Sequence, residues 1–235
     1  IKVKIKRYGE KKPLELNIVR EKIVIDPISY YGMLDDETGY IYLSNFTKDC
    51  GEKVKKTFLE LKEEKGAKKL ILDLRGNPGG LLMEAVNICN IFIPKDQEVV
   101  STKGKVSEWD KSYKTTGAPV DTLIPIAVIV NRGSASASEI VAGTIQDLDR
   151  GVIIGSRTFG KGLVQTTRDL SYNTKLKVTT AKYYIPSGRC IQALDYSHRN
   201  EDGSVGHIPD SLISEFSTRN GRKVYDGGGV VPDIL

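Results

Sequence analysis

The stretch TLIPIAVIVNRGSASASEIVAGTIQDLDRG (122–151) decides the fold class. Residues 122–130 form a largely apolar run without alternation, which is typical of a strand that is buried on both faces. Residues 138–151 have apolar side chains at helical spacing and end at a glycine, and this pattern predicts a helix. A loop with three serines separates the two. A buried strand, a loop and a helix in this order predict an α/β protein with a largely parallel core sheet.

The same alternation of elements continues on both sides of this stretch. The pattern predicts strands over 40–46, 68–74 and 151–155 and helices over 48–66 and 81–92. Further along, two runs rich in β-branched residues predict a hairpin, and a polar stretch predicts a surface loop. The hairpin strands are 163–170 and 175–185, and the loop is 195–210.

The amino-terminal residues have a different pattern. Residues 1–7 alternate apolar and basic side chains, and residues 14–19 complete a predicted two-stranded ribbon with one apolar face. Because such a ribbon is marginally stable alone, we expect it to be the end of a larger unit that begins upstream. Residues 20–29 would link the ribbon to the rest of the chain.

Composition and charge exclude several classes of protein. With 39% hydrophobic and 28% charged residues, the 235-residue sequence is typical of a folded globular protein. The net charge of +5 is confined to residues 1–22, which hold eight Lys or Arg and three Glu. Because this basic charge is local and no aromatic-rich basic motif accompanies it, we expect no nucleic acid as a partner.

The cysteines predict neither a disulfide framework nor a metal site. Cys50, Cys89 and Cys190 are odd in number and widely spaced, without a C-x-x-C pair. Cys50 and Cys89 lie in predicted helices, where we expect packed thiols rather than reactive ones. The sequence therefore gives no reason to expect a metal or a cofactor.

The motif GSRTFGKG (155–162) resembles a phosphate-binding loop, but Gly162 replaces the required Ser or Thr. The residues that follow favour a strand rather than the helix such a loop needs, which disfavours nucleotide binding. A second interpretation is that Lys161 is an exposed lysine in a turn. The flanking glycines and the apolar Phe159 and Leu163 instead suggest that water is scarce around its amine. Such a setting favours the neutral amine, which can take a proton from a hydroxyl.

Candidate hydroxyls lie in the loop after the buried strand 122–130, which contains Ser134, Ser136 and Ser138. One serine at this place is expected to cap the helix, but three are more than a cap needs. Open α/β sheets tend to place their sites at the carboxyl ends of core strands. The free N–H groups of the following helix can also stabilise an oxyanion. Position alone does not choose among the three serines.

A histidine base is the competing mechanism. Only His198 and His207 are available, and both lie in the predicted surface loop. The sequence has no G-x-S-x-G elbow and no S-x-x-K arrangement around these serines. A lysine that is distant in the sequence is the remaining base.

Six sequence blocks resemble, in order, the signature blocks of the carboxy-terminal processing peptidases, or tail-specific proteases. The blocks are DLRGNPGG (73–80), NRGSASASEIVAG (131–143), Gln146-Asp147, GSRTFGKGLVQ (155–165), YYIPSGRCIQ (183–192) and GRKVYDGGGVVPDI (221–234). The resemblance extends from about Gly39 to the end and implies a ClpP/crotonase-like core of repeated β-β-α units with a mainly parallel sheet. It also implies that residues 1–24 are the last strands of a truncated PDZ domain and that residues 25–235 are the catalytic core.

The same resemblance implies a serine–lysine dyad. The family's lysine matches Lys161, and its glutamine four residues later matches Gln165. The family's nucleophile is the middle serine of S-A-S-A-S, which matches Ser136. Ser134 and Ser138 would then have structural roles.

Four further positions match residues around the family's active site. The oxyanion in the family is held by the N–H of the residue after the serine, here Ala137, and by a glycine N–H, from either Gly79 or Gly80. Glu139 and Arg75 match charged residues near the site, and each can equally form an ordinary ion pair.

The resemblance thus implies a serine endopeptidase that processes or degrades proteins from their C-terminal region through an acyl-enzyme intermediate. The expected substrates are proteins with apolar C-terminal tails, which relatives capture with a PDZ domain in cis. Relatives are mostly exported, so the periplasm or cell envelope is the expected location. The sequence does not indicate an oligomeric state or an adaptor. The alternative function is a non-catalytic peptide- or ligand-binding protein on the same scaffold.

Overall fold

A computed structural model describes residues 1–21, 23 and 25–235. Along the chain the strands are Lys2–Ile5 (β1), Leu14–Asn17 (β2), Ile28–Met33 (β3), Thr38–Leu43 (β4), Lys69–Asp73 (β5), Glu98–Gly104 (β6), Lys111–Lys114 (β7), Ile126–Val130 (β8), Val152–Gly155 (β9), Leu163–Asp169 (β10), Lys175–Tyr184 (β11), Leu194–Arg199 (β12), Val205–His207 (β13), Glu215–Ser217 (β14) and Lys223–Tyr225 (β15). The α-helices are Cys50–Leu59 (α1), Leu82–Phe92 (α2) and Ala137–Asp147 (α3). A π-helical turn, Glu60–Glu64, extends α1, and 3₁₀ turns span Ser107–Trp109 and Asp210–Leu212.

The central sheet has five strands in the order β3-β4-β5-β8-β9. The pair β3–β4 is antiparallel, and the other three neighbouring pairs are parallel. The apolar runs seen in the sequence supply its buried side chains, since Leu70 and Leu72 of β5 and Val128 and Val130 of β8 are almost fully buried. The prediction of an α/β fold with a mostly parallel sheet is confirmed.

The helices form the core between the central sheet and a second sheet. In α1, Val54 and Phe58 lie one turn apart and are fully buried, and the ring of Phe58 packs edge-on against Phe92 of α2 at 5.2 Å between centroids. All eleven residues of α3 are buried. A helix that is buried on every side lies in the interior, and α3 contacts both β9 of the central sheet and β6 of the second.

The second sheet has four antiparallel strands in the order β10-β11-β6-β7. Its β10–β11 pair is the hairpin that the sequence predicts. Strands β6 and β7 lie between the predicted elements 81–92 and 122–130, where the sequence pattern gave no prediction. In the register of β11 with β6, Ala181 is opposite Gly104 and Tyr183 is opposite Thr102.

The prediction of a surface loop over 195–210 is wrong. Strand β12 pairs with β13 in an antiparallel hairpin, with Leu194 opposite His207. A polar turn closes it, where Gly203 N–H donates to Asn200 O at 2.9 Å. Because both faces of this hairpin are largely exposed, its strands are polar and lack the apolar alternation that identifies a half-buried strand.

The predicted amino-terminal ribbon is present as the antiparallel pair β1–β2, with Lys2 opposite Asn17. Its apolar side chains remain largely exposed within the described chain, for example Ile1 and Val19. Strand β3 begins inside the segment that was expected to be a linker. The predicted domain boundary after residue 24 lies outside the described residues.

The buried cysteines are packed thiols, as expected. Cys50 and Cys89 are fully buried in α1 and α2, and burial raises the pKa of each thiol to about 12. Such thiols stay protonated and unreactive near neutral pH. Among the described helices, none is both long and apolar enough to cross a bilayer.

Candidate active site

Three loops meet at one edge of the central sheet. Strands β5, β8 and β9 are parallel neighbours, so the segments that follow them lie at the same edge. We call residues 74–81 the glycine loop, 131–136 the serine loop and 156–162 the lysine loop. The sheet topology therefore brings together blocks that are far apart in the sequence.

The three serines of the SASAS run have different environments. Ser134 and Ser138 are fully buried, and their hydroxyls donate to the glycine loop, from Ser134 Oγ to Leu74 O at 2.7 Å and from Ser138 Oγ to Asn77 O at 2.9 Å. Ser136 is 9% exposed and lines a cavity. The outer two serines thus connect the loops through buried hydrogen bonds, whereas the middle one is nearly buried but lines the cavity.

The backbone of Ser136 is strained. Its φ of 56° and ψ of −111° lie in a region of backbone conformation that residues other than glycine rarely adopt. Such a conformation lowers the stability of the fold by about 1–3 kcal/mol. The start of α3 holds this conformation, since Ile140 N–H donates to Ser136 O at 2.9 Å and Ser136 N–H donates to Glu139 Oε2 at 2.8 Å. The serine is therefore fixed at the beginning of a helix in which Ser138 N–H donates to Ala135 O at 3.2 Å, whereas Ala137 N–H has no acceptor in the described chain.

Glu139 connects the serine loop with the lysine loop. Its Oε2 accepts the N–H groups of Ser136 and Lys161, both at 2.8 Å. Its Oε1 accepts the Thr158 hydroxyl at 2.6 Å and Gly160 N–H at 2.7 Å. Burial raises the pKa of this carboxyl, and the four donors oppose that rise. Within the described chain Glu139 forms no ion pair, so its role is to accept backbone hydrogen bonds from both loops.

Residues later in the chain hydrogen-bond the lysine loop and hold its backbone in place. Gly162 N–H donates to Gln192 Oε1 at 2.8 Å, and Ala193 N–H donates to Gly160 O at 3.0 Å. Gly160 has a φ of +84°, and a methyl group at this position would lie 2.3 Å from Cβ of Ala193. The glycines beside Lys161 therefore permit close backbone packing. Because β10 directly follows Gly162, the helix that a phosphate-binding loop requires is absent.

Predicted residues of the serine, lysine and glycine loops share one cavity of about 310 Å³. It is lined by Pro78, Gly79, Gly80, Ser136, Lys161, Leu163, Gln165, Lys177 and Tyr183. In the described chain no carboxylate pairs with the amine of Lys161, and no hydrogen bond joins it to Ser136 Oγ. Gln165 is exposed and does not hydrogen-bond the amine either. Catalytic contacts are often long before substrate binds and shorten in the complex.

The two glycines that sequence comparison could not separate differ in hydrogen bonding. Gly79 N–H donates to Asn77 Oδ1 at 2.9 Å. In the described chain, neither Gly80 N–H nor Ala137 N–H donates to another group. A methyl group on Gly79 would lie 2.9 Å from both the Ala137 nitrogen and Cβ of Ser136, so the glycine loop packs directly against the serine.

Arg75 lies apart from this cavity. Its guanidinium forms an ion pair with Asp73, at 2.6 Å from Nη2 to Oδ2, and the Tyr40 hydroxyl donates to the same oxygen at 2.6 Å. Burial by itself raises the pKa of the Asp73 carboxyl, but Arg75 and Tyr40 outweigh burial and lower it. Of the two roles considered for Arg75, the structure has the ordinary ion pair.

Neither histidine lies at the cavity. His198 is exposed and contacts Asp195, with 2.7 Å between Nδ1 and Oδ2, and His207 is also exposed. Among the described residues, no three His, Cys, Asp or Glu side chains converge as a metal site. The polar groups available for chemistry in the cavity are therefore hydroxyls, amines, an amide and backbone N–H groups.

Comparison with known proteins identifies the family. A sequence profile described as peptidase family S41 matches residues 37–197, which is more than half of the chain. The chain belongs to peptidase family S41. It is 40% identical over 218 residues to the carboxy-terminal-processing protease of Bartonella bacilliformis, and the match covers 92% of this chain and 47% of that protein.

Other S41 relatives give the same result. The carboxyl-terminal-processing protease of Synechocystis sp. is 34% identical over 220 residues, covering 92% of this chain and 48% of the relative. The solved structure of a photosystem II D1 C-terminal processing protease superposes with a TM-score of 0.63 at 32% identity, covering 82% of this chain and 53% of that one. The S41 chain thus spans about half the length of the curated relatives it matches.

Sequence reasoning missed three residues at the S41 cavity. Asn77 hydrogen-bonds Gly79 and, through Nδ2, Leu43 O at 2.9 Å. Lys177 and Tyr183 come from β11 and line the cavity. Both Asn77 and Tyr183 belong to signature blocks, but nothing in their spacing indicates that Asn77 hydrogen-bonds Gly79 or that Tyr183 lines the cavity.

Proposed function

We propose that this chain is the catalytic core of a serine endopeptidase that cleaves proteins near their C-termini through Ser136 and Lys161. The observation that carries the proposal is the convergence of Ser136, Lys161, Gln165 and the glycine loop on one cavity in an S41 chain. Relatives named carboxy-terminal processing proteases support this reaction and protein substrates. The environments of the three serines support Ser136 as the nucleophile.

The proposed reaction has two steps. Lys161, as a neutral amine, takes the hydroxyl proton of Ser136 while Oγ attacks a peptide carbonyl, and it then gives the proton to the leaving amine. Water hydrolyses the resulting ester and frees the serine. Gln165 would hold the amine in line, and Glu139 keeps the two loops at a fixed separation.

We propose Ala137 N–H and Gly80 N–H as the oxyanion donors. Both lack another acceptor in the described chain, whereas the Gly79 N–H is occupied by Asn77. This difference favours Gly80 over Gly79. Loss of one such donor typically costs about 3 kcal/mol of transition-state stabilisation.

A second cavity supports binding of a substrate side chain. It has a volume of about 360 Å³, and its lining combines apolar side chains such as Leu82, Trp109 and Val164 with three threonines and with the charged residues Glu108, Lys111 and Arg168. Thr102, the cross-strand partner of the cavity-lining residue Tyr183, also lines it. Side chains of such a pair lie about 5 Å apart, so the second cavity adjoins the serine site. We propose that it accepts an apolar side chain of the substrate.

The remaining features of the proposal come from the family resemblance. The parallel sheet with its interior helix is consistent with a ClpP/crotonase-like core. The β1–β2 ribbon, with its exposed apolar side chains, is consistent with the end of a PDZ domain that would present substrate tails, and residues 25–235 would form the catalytic core. Location in the periplasm or cell envelope remains part of the proposal.

Cleavage of a fluorogenic peptide with an apolar C-terminal tail tests the function. We expect Ser136→Ala and Lys161→Ala to abolish cleavage. Ser134→Ala should retain it and lose stability by about 1–3 kcal/mol, because the hydroxyl of Ser134 is buried and hydrogen-bonded. A peptide with an acidic tail should be cleaved more slowly.

Two outcomes would contradict the proposal. If Ser134→Ala remains folded and loses as much cleavage as Ser136→Ala, the assignment of Ser136 as the nucleophile is contradicted. Peptide binding without cleavage by the wild-type chain, tested together with the proposed PDZ domain, would support the non-catalytic alternative.

A further inference from the structure

Asn77 is a buried polar residue that the proposed mechanism does not use. It lies in the glycine loop, is 0% exposed, and is not among the described residues that line the cavity of Ser136 and Lys161. Its side chain forms two hydrogen bonds, in which Oδ1 accepts Gly79 N–H at 2.9 Å and Nδ2 donates to Leu43 O at 2.9 Å. Because Leu43 ends β4 of the central sheet, the amide ties the glycine loop to a fixed strand.

The backbone of Asn77 also holds the serine loop. Its carbonyl oxygen accepts Ala135 N–H at 3.0 Å and the Ser138 hydroxyl at 2.9 Å. These two residues flank Ser136 and Ala137. A single buried residue therefore contacts both segments that supply the proposed oxyanion donors.

The peptide group between Gly79 and Gly80 has a defined orientation. Gly79 O accepts Phe46 N–H at 3.2 Å. In a planar trans peptide the C=O and N–H bonds point in opposite directions, so Gly80 N–H points away from the nitrogen of Phe46. Asn77 holds the preceding peptide group through Gly79 N–H. The direction of Gly80 N–H is thus determined by Asn77 on one side and by Phe46 on the other.

We propose that Asn77 is a positioning residue that directs the N–H of Gly80 towards the oxyanion. The inference rests on the proposed function, because it concerns the donor proposed there. Glycine backbones have access to many conformations, so two adjacent glycines need external contacts to keep one orientation. Without the amide of Asn77 the loop would populate other orientations, and a misdirected N–H does not stabilise the developing charge.

A purely structural role is the competing explanation, because loss of buried hydrogen bonds lowers stability in any case. The Asn77→Asp variant separates the two roles. It keeps an acceptor for Gly79 N–H but loses the donor to Leu43 O, and a buried carboxylate beside a carbonyl oxygen destabilises the fold. Asn77→Ala removes both side-chain bonds. A positioning role therefore predicts that the aspartate variant, although destabilised, is more active than the alanine variant.

The kinetic experiment compares these two variants with Asn90→Ala as the matched control. Asn90 Oδ1 also accepts one backbone N–H, from Thr116 at 2.9 Å, but Asn90 lies near the end of α2. We expect Asn77→Ala to lower kcat about 10- to 100-fold with KM changed less than about twofold. Asn77→Asp should lose less than about tenfold, and Asn90→Ala should match the wild type. Thermal unfolding verifies that each variant is folded at the assay temperature.

Inhibitor binding provides a readout that a structural role would not change. A peptide aldehyde forms a tetrahedral adduct with Ser136, and the oxygen of this adduct resembles the oxyanion. We expect Asn77→Ala to weaken binding of the aldehyde by about the same factor as kcat. Binding of the peptide product, which has no tetrahedral centre, should change less than about twofold.

Amide hydrogen exchange of the wild type, followed by NMR, tests the inference without a variant. Gly79 N–H should exchange slowly because Asn77 accepts it, whereas Gly80 N–H should exchange quickly in the free protein and slowly in the aldehyde complex. If the N–H of Gly79 exchanges as quickly as that of Gly80 in the free protein, Asn77 does not hold the loop. That result would overturn the inference even where Asn77→Ala fails to fold.

The outcomes distinguish this inference from the function on which it rests. Wild-type kcat and aldehyde affinity in folded Asn77→Ala, with Ser136→Ala inactive, would overturn the role of Asn77 alone. Equal losses of kcat in Asn77→Ala and Asn77→Asp would also overturn it, because the contact with Gly79 would then not matter. Absence of cleavage by the wild type would overturn the proposed function, and the role of Asn77 with it.

Discussion

At the scale of the residue, Ser136 combines a strained backbone with a nearly buried hydroxyl. Its positive φ is a conformation in which Cβ is unfavourable, and glycine adopts such conformations without that penalty. We expect Ser136→Gly to be more stable than Ser136→Ala by about 1 kcal/mol, although both remove the hydroxyl. Urea unfolding of the two variants measures this difference. A glycine variant that is less stable than the alanine variant would show that Ser136 is not strained.

The two candidate glycines differ in a way that only coordinates reveal. In the sequence, Gly79 and Gly80 are adjacent and equivalent. In the fold, Asn77 takes the N–H of Gly79 and leaves that of Gly80 free. The choice depends on an asparagine rotamer and on the loop's approach to Ala137, neither of which follows from residue spacing.

At the scale of the element, Glu139 couples α3 to the lysine loop. In Glu139→Gln one carboxylate oxygen becomes an NH₂ group. At the position of Oε2 this group faces the N–H groups of both Ser136 and Lys161, and at the position of Oε1 it faces the N–H of Gly160, so the lysine loop loses an acceptor in either orientation. We expect stability to fall by about 1–3 kcal/mol and kcat to fall at least about tenfold, because displaced catalytic groups react more slowly.

The matched control is Glu84→Gln. The Glu84 carboxylate also accepts two backbone N–H groups, from Asp49 at 3.1 Å and Gly51 at 2.8 Å, but it does so at the start of α1. Its replacement should lower stability without lowering kcat. Equal effects of both substitutions on kcat would refute the coupling by Glu139. Urea unfolding and peptide cleavage provide the two readouts.

The elements that the sequence predicted are those whose pattern is local. Strands β5 and β8 have uninterrupted apolar runs, and α1 has apolar side chains one turn apart. Each of these elements can therefore be predicted from its own local sequence. Strands β12 and β13 are polar and largely exposed, and β6, although its Val99 and Val100 are buried, pairs with the distant β11. Their presence depends on partners elsewhere in the chain. The proposed nucleophile and base, Ser136 and Lys161, were chosen through family resemblance, whereas the position of Tyr183 at the cavity depends on the assembled second sheet.

At the scale of the whole molecule, a buried ion pair joins α3 to the C-terminal part of the chain. Arg189 and Asp147 are 1% and 2% exposed, with 2.8 Å between Arg189 Nη2 and Asp147 Oδ1. Arg189 also donates to Gln146 Oε1 at 2.7 Å and to Tyr225 O at 3.2 Å. The pair thus connects the helix that follows Ser136 with strand β15.

Removal of one partner should destabilise the whole fold. Arg189→Met leaves the Asp147 charge buried without its counter-ion, and we expect a loss of about 3–5 kcal/mol of unfolding free energy. The double variant Arg189→Met/Asp147→Asn removes both charges, and Asn can still accept the Ser187 N–H that Asp147 accepts at 3.0 Å. It should therefore be more stable than the single variant. Urea unfolding measures both, and a double variant that is less stable than Arg189→Met would refute this account, because the unpaired charge could then not be the source of the loss.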